Sequence, residues 1–251
     1  MNIERILNFR TIIILIFAAL LSYGIYWLVI SNIFKNNLLL QLAENKSISY
    51  KTINSSGFPT QIQTNINEFE IINSKSDDIL LESKTIQLSI NPFDLSKVAL
   101  KSNLISILVN KDNLVFDIDM NSVLSVISVD QNNLHNLNSA INNIKISGND
   151  VFLANLDQVH IKINENSPQL FDINTKVNSA QLETINSQNV SIEMKGALKL
   201  DNKILNGNLN ILIKDLKTNE DVFNLPFNIK DNQVIFLFMN IFDLNKILFF
   251  L

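Results

Sequence analysis

The stretch Ile192–Leu200, Ile-Glu-Met-Lys-Gly-Ala-Leu-Lys-Leu, decides the fold class. Its apolar residues recur at every second position, with polar or small residues between them. That is the period of a strand with one dry face; an amphipathic helix would space them by three and four. The same alternation runs through Leu114-Phe116-Ile118-Met120, Phe171-Ile173-Thr175-Val177 and Leu209-Ile211-Ile213. Short turn candidates lie between such runs: Lys111-Asp112-Asn113, Ser147-Gly148-Asn149-Asp150, Asp201-Asn202-Lys203 and Lys230-Asp231-Asn232, where Asn or Gly tolerates positive φ. Short turns join antiparallel neighbours, whereas parallel strands need long crossovers. The predicted fold is therefore mainly β: an N-terminal transmembrane helix, then a long curved antiparallel meander sheet, as an open groove, a sandwich-like arrangement or a partly closed barrel. One further helix is a candidate over 132–144, where Leu134, Leu137, Ile141 and Ile144 fall at near-helical spacing.

Upstream of the strands, Thr11 to Ile30 is an uncharged, mostly apolar run. At about 1.5 Å per residue it covers the roughly 30 Å hydrocarbon layer of a bilayer. Arg5 and Arg10 precede it, Lys35 follows, and Tyr23, Tyr26 and Trp27 crowd its outer end, where amphipathic rings sit at headgroup level. This pattern reads as an uncleaved signal-anchor with a cytoplasmic N-terminus and the rest of the chain outside. A cleaved signal peptide is the rival, with Ser22 and Gly24 as small residues before the cut. The expected organisation is an anchor over 1–34, a linker or helix extension over 35–45, and an antiparallel β-domain over 46–251. The terminal run Val234 to Leu251 is apolar but interrupted by Asp243 and Lys246, and its first half reads as a core strand.

Composition narrows the function classes. The 251 residues carry a net charge of −4, which leaves no basic face for nucleic acid. Cysteine is absent, which removes disulfides, thiolate ligands and a Cys nucleophile. The chain has 39 asparagines but only 5 glycines, and the asparagines are interleaved with Ile, Leu and Val instead of forming polar tracts. Asn here takes on turn duties that Gly, Asp or Ser perform elsewhere.

Chemistry-bearing residues are sparse. His135 and His160 lie in different segments, with no Asp/Glu/His cluster at ligand spacing around either. Asp117 and Asp119 share one polar strand face opposite Phe116 and Ile118, a pattern of solvated surface. Ser55-Ser56 lacks a nucleophile elbow, and no glycine-rich phosphate loop exists. No catalytic, cofactor or metal site is predicted. Asn54-Ser55-Ser56 matches a glycosylation sequon, a short pattern common by chance in an Asn-rich chain.

The segment Gly57-Phe58-Pro59 reads as a structural corner: Gly57 permits positive φ, Pro59 suits a strand start, and Phe58 is placed to plug the end of a sheet. An anchor, one short strand over 47–53, then Gly-Phe-Pro opening a long amphipathic strand resembles the bacterial family called domain of unknown function 2125. Asn206-Gly207-Asn208-Leu209-Asn210-Ile211 is similar to that family's late strand. Leu225-Pro226-Phe227-Asn228-Ile229-Lys230-Asp231-Asn232-Gln233-Val234 is similar to its closing hairpin, with Asn232 where relatives carry Gly. The resemblance implies a bacterial inner-membrane anchor and a periplasmic β-domain, in the style of AsmA-like proteins with apolar grooves, and carries no established activity.

Two functional expectations follow. The dry face is either a groove for lipid or another apolar envelope component, lined by Ile62, Ile66, Phe116, Ile118, Ile211 and Ile213, or the closed core of a structural or assembly scaffold of the cell envelope. Core strands and groove strands read alike in sequence. The expected partners are thus the membrane, through Thr11 to Ile30, and a lipid or envelope protein.

Overall fold

The computed structural model describes residues 9–45, 47–72, 79–111, 114–130, 133–149, 151–182, 189–201, 204–236 and 239–243. One helix, α1 (Phe9–Glu44), precedes the strands β1 (Ile48–Ser49), β2 (Thr52–Ser56), β3 (Ile62–Ile72), β4 (Ile79–Asn91), β5 (Asp94–Lys111), β6 (Leu114–Asp130) and β7 (Asn133–Gly148). The chain continues through β8 (Val151–Ser167), β9 (Leu170–Leu182), β10 (Asn189–Asp201), β11 (Ile204–Asp215), β12 (Asp221–Lys230), β13 (Gln233–Phe236) and β14 (Met239–Asp243). All pair antiparallel in one open sheet, in chain order, except that β1 and β2 share one edge of β3. The meander is not closed, so neither a sandwich nor a barrel forms.

The central strands are long, up to the 18 residues of β5, against an ordinary five or six. A crease accommodates them. Glu68, Ser122 and Gln158 have φ of 51°, 50° and 50° in the middle of β3, β6 and β8. The ladder skips these residues: Asn67 faces Thr85 and Phe69 faces Ser83, while Asn121 faces Asn143 and Val123 faces Ile141. It likewise skips Gln158 and Asn178, whose side chains hydrogen-bond at 2.8 Å. A left-handed residue in mid-strand advances the side-chain phase by one, so residues three apart both point inward at the crease. Ile66 and Phe69, Ile141 and Ile144, and Val177 and Ala180 are such pairs.

This crease corrects the helix expected over 132–144, which is strand β7. The step of three from Ile141 to Ile144 straddles the crease at Asn142. The step from Leu134 to Leu137 straddles a bulge, where Val129 faces Leu134 and Ser128 faces Asn136. Irregular strand pairing produces the same spacing as a helical turn.

Burial follows the crease. Val123, Ile141, Val159, Val177, Ala180 and Val190 are buried in one cluster beside it. Farther out on the same face, Ile107, Ile118, Ile127, Ile163 and Ile173 are half-buried, while Asp117, Lys162, Asn164, Asp172 and Asn174 opposite them are exposed. One flat sheet cannot bury its own face; folding along a line lets its two halves cover each other there.

At two of the four expected turns, asparagine serves as expected; the turns at 112–113 and 202–203 lie outside the described residues. Asp231 and Asn232 have φ of 52° and 65°, the hand that a two-residue hairpin needs, between paired Lys230 and Gln233. Asn149, φ 47°, accepts from the Val115 N–H at 2.9 Å. The terminal run beyond Asp243 lies outside the described residues.

Gly57 has φ of 101°, and a Cβ there would lie 2.6 Å from the Gln61 carbonyl oxygen, which no side chain can accept. Gly57→Val is expected to destabilise the protein by about 1–3 kcal/mol. His160→Ala, on the exposed outer face, is expected to stay within about 0.5 kcal/mol of the parent. Parallel chemical denaturation of the two variants checks the order.

Candidate functional site

The inner face forms an apolar trough across the sheet. Directly opposed residues make continuous rows. One runs from Ile66 through Ile86, Val123, Val159 and Val177 to Ile213, interrupted by Ser102. The next runs from Thr64 through Leu88, Ile161 and Met194 to Ile211. Ile62 begins a third, and Phe116 and Ile118 lie across the crease, paired with Val109 and Ile107. All six groove residues named from sequence therefore share one face. They do not share one pocket: Ile66 on β3 and Ile213 on β11 are eight strand steps apart, about 40 Å at the usual spacing.

The helix splits these six. Beyond the membrane-length run, α1 continues to Glu44 and lays Leu38, Leu39 and Leu42 against Ile53, Ile66, Phe69 and Ile86. Trp27, Ile30 and Phe34 pack on Ile62, Ile90 and Val98. Ile62 and Ile66, 0% and 2% exposed, are thus filled core positions and no longer groove. The helix extension that covers them is amphipathic only in its last turns, where Leu38, Leu39 and Leu42 face the sheet and Leu40 stays exposed. Phe116, Ile118, Ile211 and Ile213 stay half-buried, and among the described residues no second layer of structure lies over them.

A few hydroxyls sit among these apolar rows. Ser83 and Ser102 lie 2.9 Å apart, and both donate to the Leu104 carbonyl, which the crease releases from the ladder, at 2.8 and 2.9 Å. Ser125 and Ser139 pair at 2.7 Å. The Thr175 hydroxyl is buried without a partner.

The outer face carries the charges. Asp119 accepts from the Ser106 hydroxyl at 2.6 Å and sits opposite Lys145 in the ladder. Asp117 and His160 are exposed, and exposed His135 lies 3.5 Å from Glu165. The carboxyl groups held below their ordinary range are all surface groups. Asp94 is lowered by the Ser96 hydroxyl and then Lys97, Glu193 by a hydrogen bond from Lys195, and Asp215 by the Thr218 and Lys217 backbone N–H groups of its turn. Among the described residues no three His, Asp or Glu converge on a point that could hold a metal.

The Gly57-Phe58-Pro59 corner is not a plug. Phe58 is 55% exposed and lies outside the sheet against Tyr23 and Trp27 of α1, because the short path from Gly57 to Gln61 turns its ring toward the helix. The residues that sequence reading missed are those of the crease, Glu68, Ser122 and Gln158, and the helix residues that fill the first strands. For the crease, the signal was present as steps of three within otherwise alternating runs.

No family model, no curated protein and no solved structure matches the chain. The geometry alone therefore carries the functional reading.

Thr175→Val keeps the side-chain shape and removes the unpartnered hydroxyl. It is expected to raise stability by about 1 kcal/mol, read as a higher urea midpoint at unchanged slope.

Proposed function

We propose that this protein is a non-enzymatic, membrane-anchored envelope component whose trough holds the acyl chains of lipids. The observation that carries the reading is an apolar face, from β5 to β12, whose residues Phe116, Ile118, Ile211 and Ile213 stay half-buried with, among the described residues, nothing laid over them, and which is continuous with a helix long and apolar enough to cross a membrane. Apolar surface on this scale is uncommon on a solitary soluble chain and marks a site that binds something apolar. Proximity selects the ligand. The trough begins on the helix that enters the bilayer, so acyl chains are the nearest apolar molecules, and each buried methylene contributes about 0.8 kcal/mol. The eight strands from β5 to β12 at about 4.8 Å give about 34 Å of length, about twice one acyl tail, since a whole hydrocarbon layer of two tails is about 30 Å.

The location consistent with this reading is the bacterial inner membrane, crossed once, with the N-terminus in the cytoplasm and the sheet in the periplasm. Support comes from Arg10 before the apolar run and the aromatic belt at its outer end. Protease added to spheroplasts is expected to remove the sheet while a short α1 fragment stays in the membrane; protection of the sheet reverses the topology.

The binding test compares the full chain with an Ile118→Asp and Ile211→Asp double variant, both purified in detergent. Phospholipid retained after extensive washing is measured by mass spectrometry. The parent is expected to keep several lipids and the double variant to lose most of them, with unchanged helix and strand signals in circular dichroism. Phe223→Glu, at a 47% exposed position opposite Ile213, is the second variant should the first unfold. A lipid-free, stable, monomeric parent overturns the proposal and returns the apolar face to a scaffold role.

A further inference from the structure

Two loops at one end of the sheet dock on the helix within the bilayer-facing part of α1. Tyr23 donates its hydroxyl to the Pro59 carbonyl, Tyr26 to the Pro92 carbonyl at 2.6 Å, and the Trp27 indole N–H to the Gln61 carbonyl at 3.1 Å. Around these bonds Phe93 stacks on Tyr23 at 5.6 Å, and Phe58 meets Trp27 edge to face at 5.5 Å. Yet neither phenylalanine is buried: Phe58 is 55% and Phe93 74% exposed, and Leu95 next to them is 51% exposed. Phe58 also closes one side of a groove of about 540 Å³ walled by Leu20, Leu21, Ile25 and Leu28.

The depth of this cluster is fixed by the helix. Tyr23 lies seven residues before Ile30, the last residue of the apolar run before Ser31 and Asn32, which is about 10 Å along the axis. With α1 spanning the membrane, the rings of Phe58 and Phe93 are carried with the aromatic belt to the boundary between headgroups and acyl chains. Backbone can enter that layer only if its polar groups are satisfied. Here they are. Pro59 and Pro92 have no N–H to satisfy, and their carbonyls are taken by the two tyrosines. The Gln61 N–H bonds to the Gly57 carbonyl at 3.1 Å, and the Phe93 N–H to the Asn91 side chain at 2.9 Å.

We infer that the loops at 57–61 and 92–95 are a second membrane contact, a seat in which Phe58, Phe93 and Leu95 insert beside the helix and hold the end of the trough in the outer edge of the bilayer. The occupant of this surface is the boundary between headgroups and acyl chains. Amphipathic aromatic clusters of this kind bind at that depth. The inference needs α1 to cross the membrane but does not need the trough to hold lipid.

The absence of cysteine makes the test direct. Full-length Phe93→Cys and Leu95→Cys, each labelled with an environment-sensitive nitrobenzoxadiazole dye, are reconstituted into phosphatidylcholine and phosphatidylglycerol vesicles, beside Lys195→Cys on the outer face of β10. Lipids carrying a nitroxide near the headgroup are expected to quench the labels at 93 and 95 at least about threefold more than the label at 195, and aqueous iodide to show the reverse order. Both labelled positions are exposed, so neither change disturbs the core. Equal lipid quenching at all three sites, or full iodide access at 93 and 95, overturns the seat. Strong lipid quenching in a protein whose washed trough carries no phospholipid keeps the seat and removes only the binding proposal.

Discussion

A single antiparallel sheet with one apolar face and, among the described residues, no partner layer beyond the helix over β3 and β4 has to hide the rest of that face in its own shape, and the crease through its long strands is how this chain does so. Each skipped pair, from Glu68 on β3 to Asn178 on β9, gives up ladder hydrogen bonds at one point. In return the rows on either side turn toward each other, and valine, isoleucine and alanine beside the line become buried. The released Leu104 carbonyl shows how the loss is limited: two serine hydroxyls that are themselves buried take its lone pairs. Away from the crease the same alternation yields mostly half-buried side chains, as at Ile107, Ile118, Ile127, Ile163 and Ile173. That gradient, closed along one line and open beyond it, distinguishes a trough from a packed sandwich, in which both sheets bury every inward residue.

The helix performs two tasks along its length, and its surface changes accordingly. From Ile13 to Val29 large apolar side chains are mostly exposed, which suits hydrocarbon and not water. Past that, Phe34, Leu38, Leu39 and Leu42 supply the missing layer over β3 and β4. The open part of the trough therefore begins only where the helix stops covering it. Trp27 belongs to both parts: it is 8% exposed, packs on Ile62, and bonds the Gln61 carbonyl. Because the sheet grips the helix directly through Trp27, Tyr23 and Tyr26, no flexible linker separates membrane from trough. Under the lipid-binding proposal this matters physically, because a short dry path avoids exposing an acyl chain to water.

Much of this was legible in sequence because the dominant interactions are local and periodic. Two-residue alternation specifies a strand with a dry face, twenty uncharged residues specify a membrane-length helix, and Asn-rich breaks specify turns between antiparallel neighbours. Gly57 was readable for the same reason, since its conformation depends only on its own backbone. The turn between β12 and β13 illustrates the point less directly: at Asp231 and Asn232 a hairpin of the required hand forms without glycine, as the tolerance of Asp and Asn for positive φ allows.

What the tertiary structure decided is which apolar residues meet which. Ile62 and Ile211 look alike in sequence, but one is sealed by the helix and the other lines the open face, a difference set by where α1 lies. The strand at 133–148 resembled a helix because the crease and a bulge each add one residue to the alternation, and only pairing with neighbours reveals that. Phe58 was read as a plug because its sequence context names a corner and not the direction the ring takes. Sequence by itself determined the anchor, the strand period and the antiparallel order, since these follow from residue spacing along the chain. The crease, the covered and uncovered parts of the dry face, and the docking of two loops on the aromatic belt were decided by contacts between residues tens of positions apart, whose energies depend on geometry that no local pattern encodes.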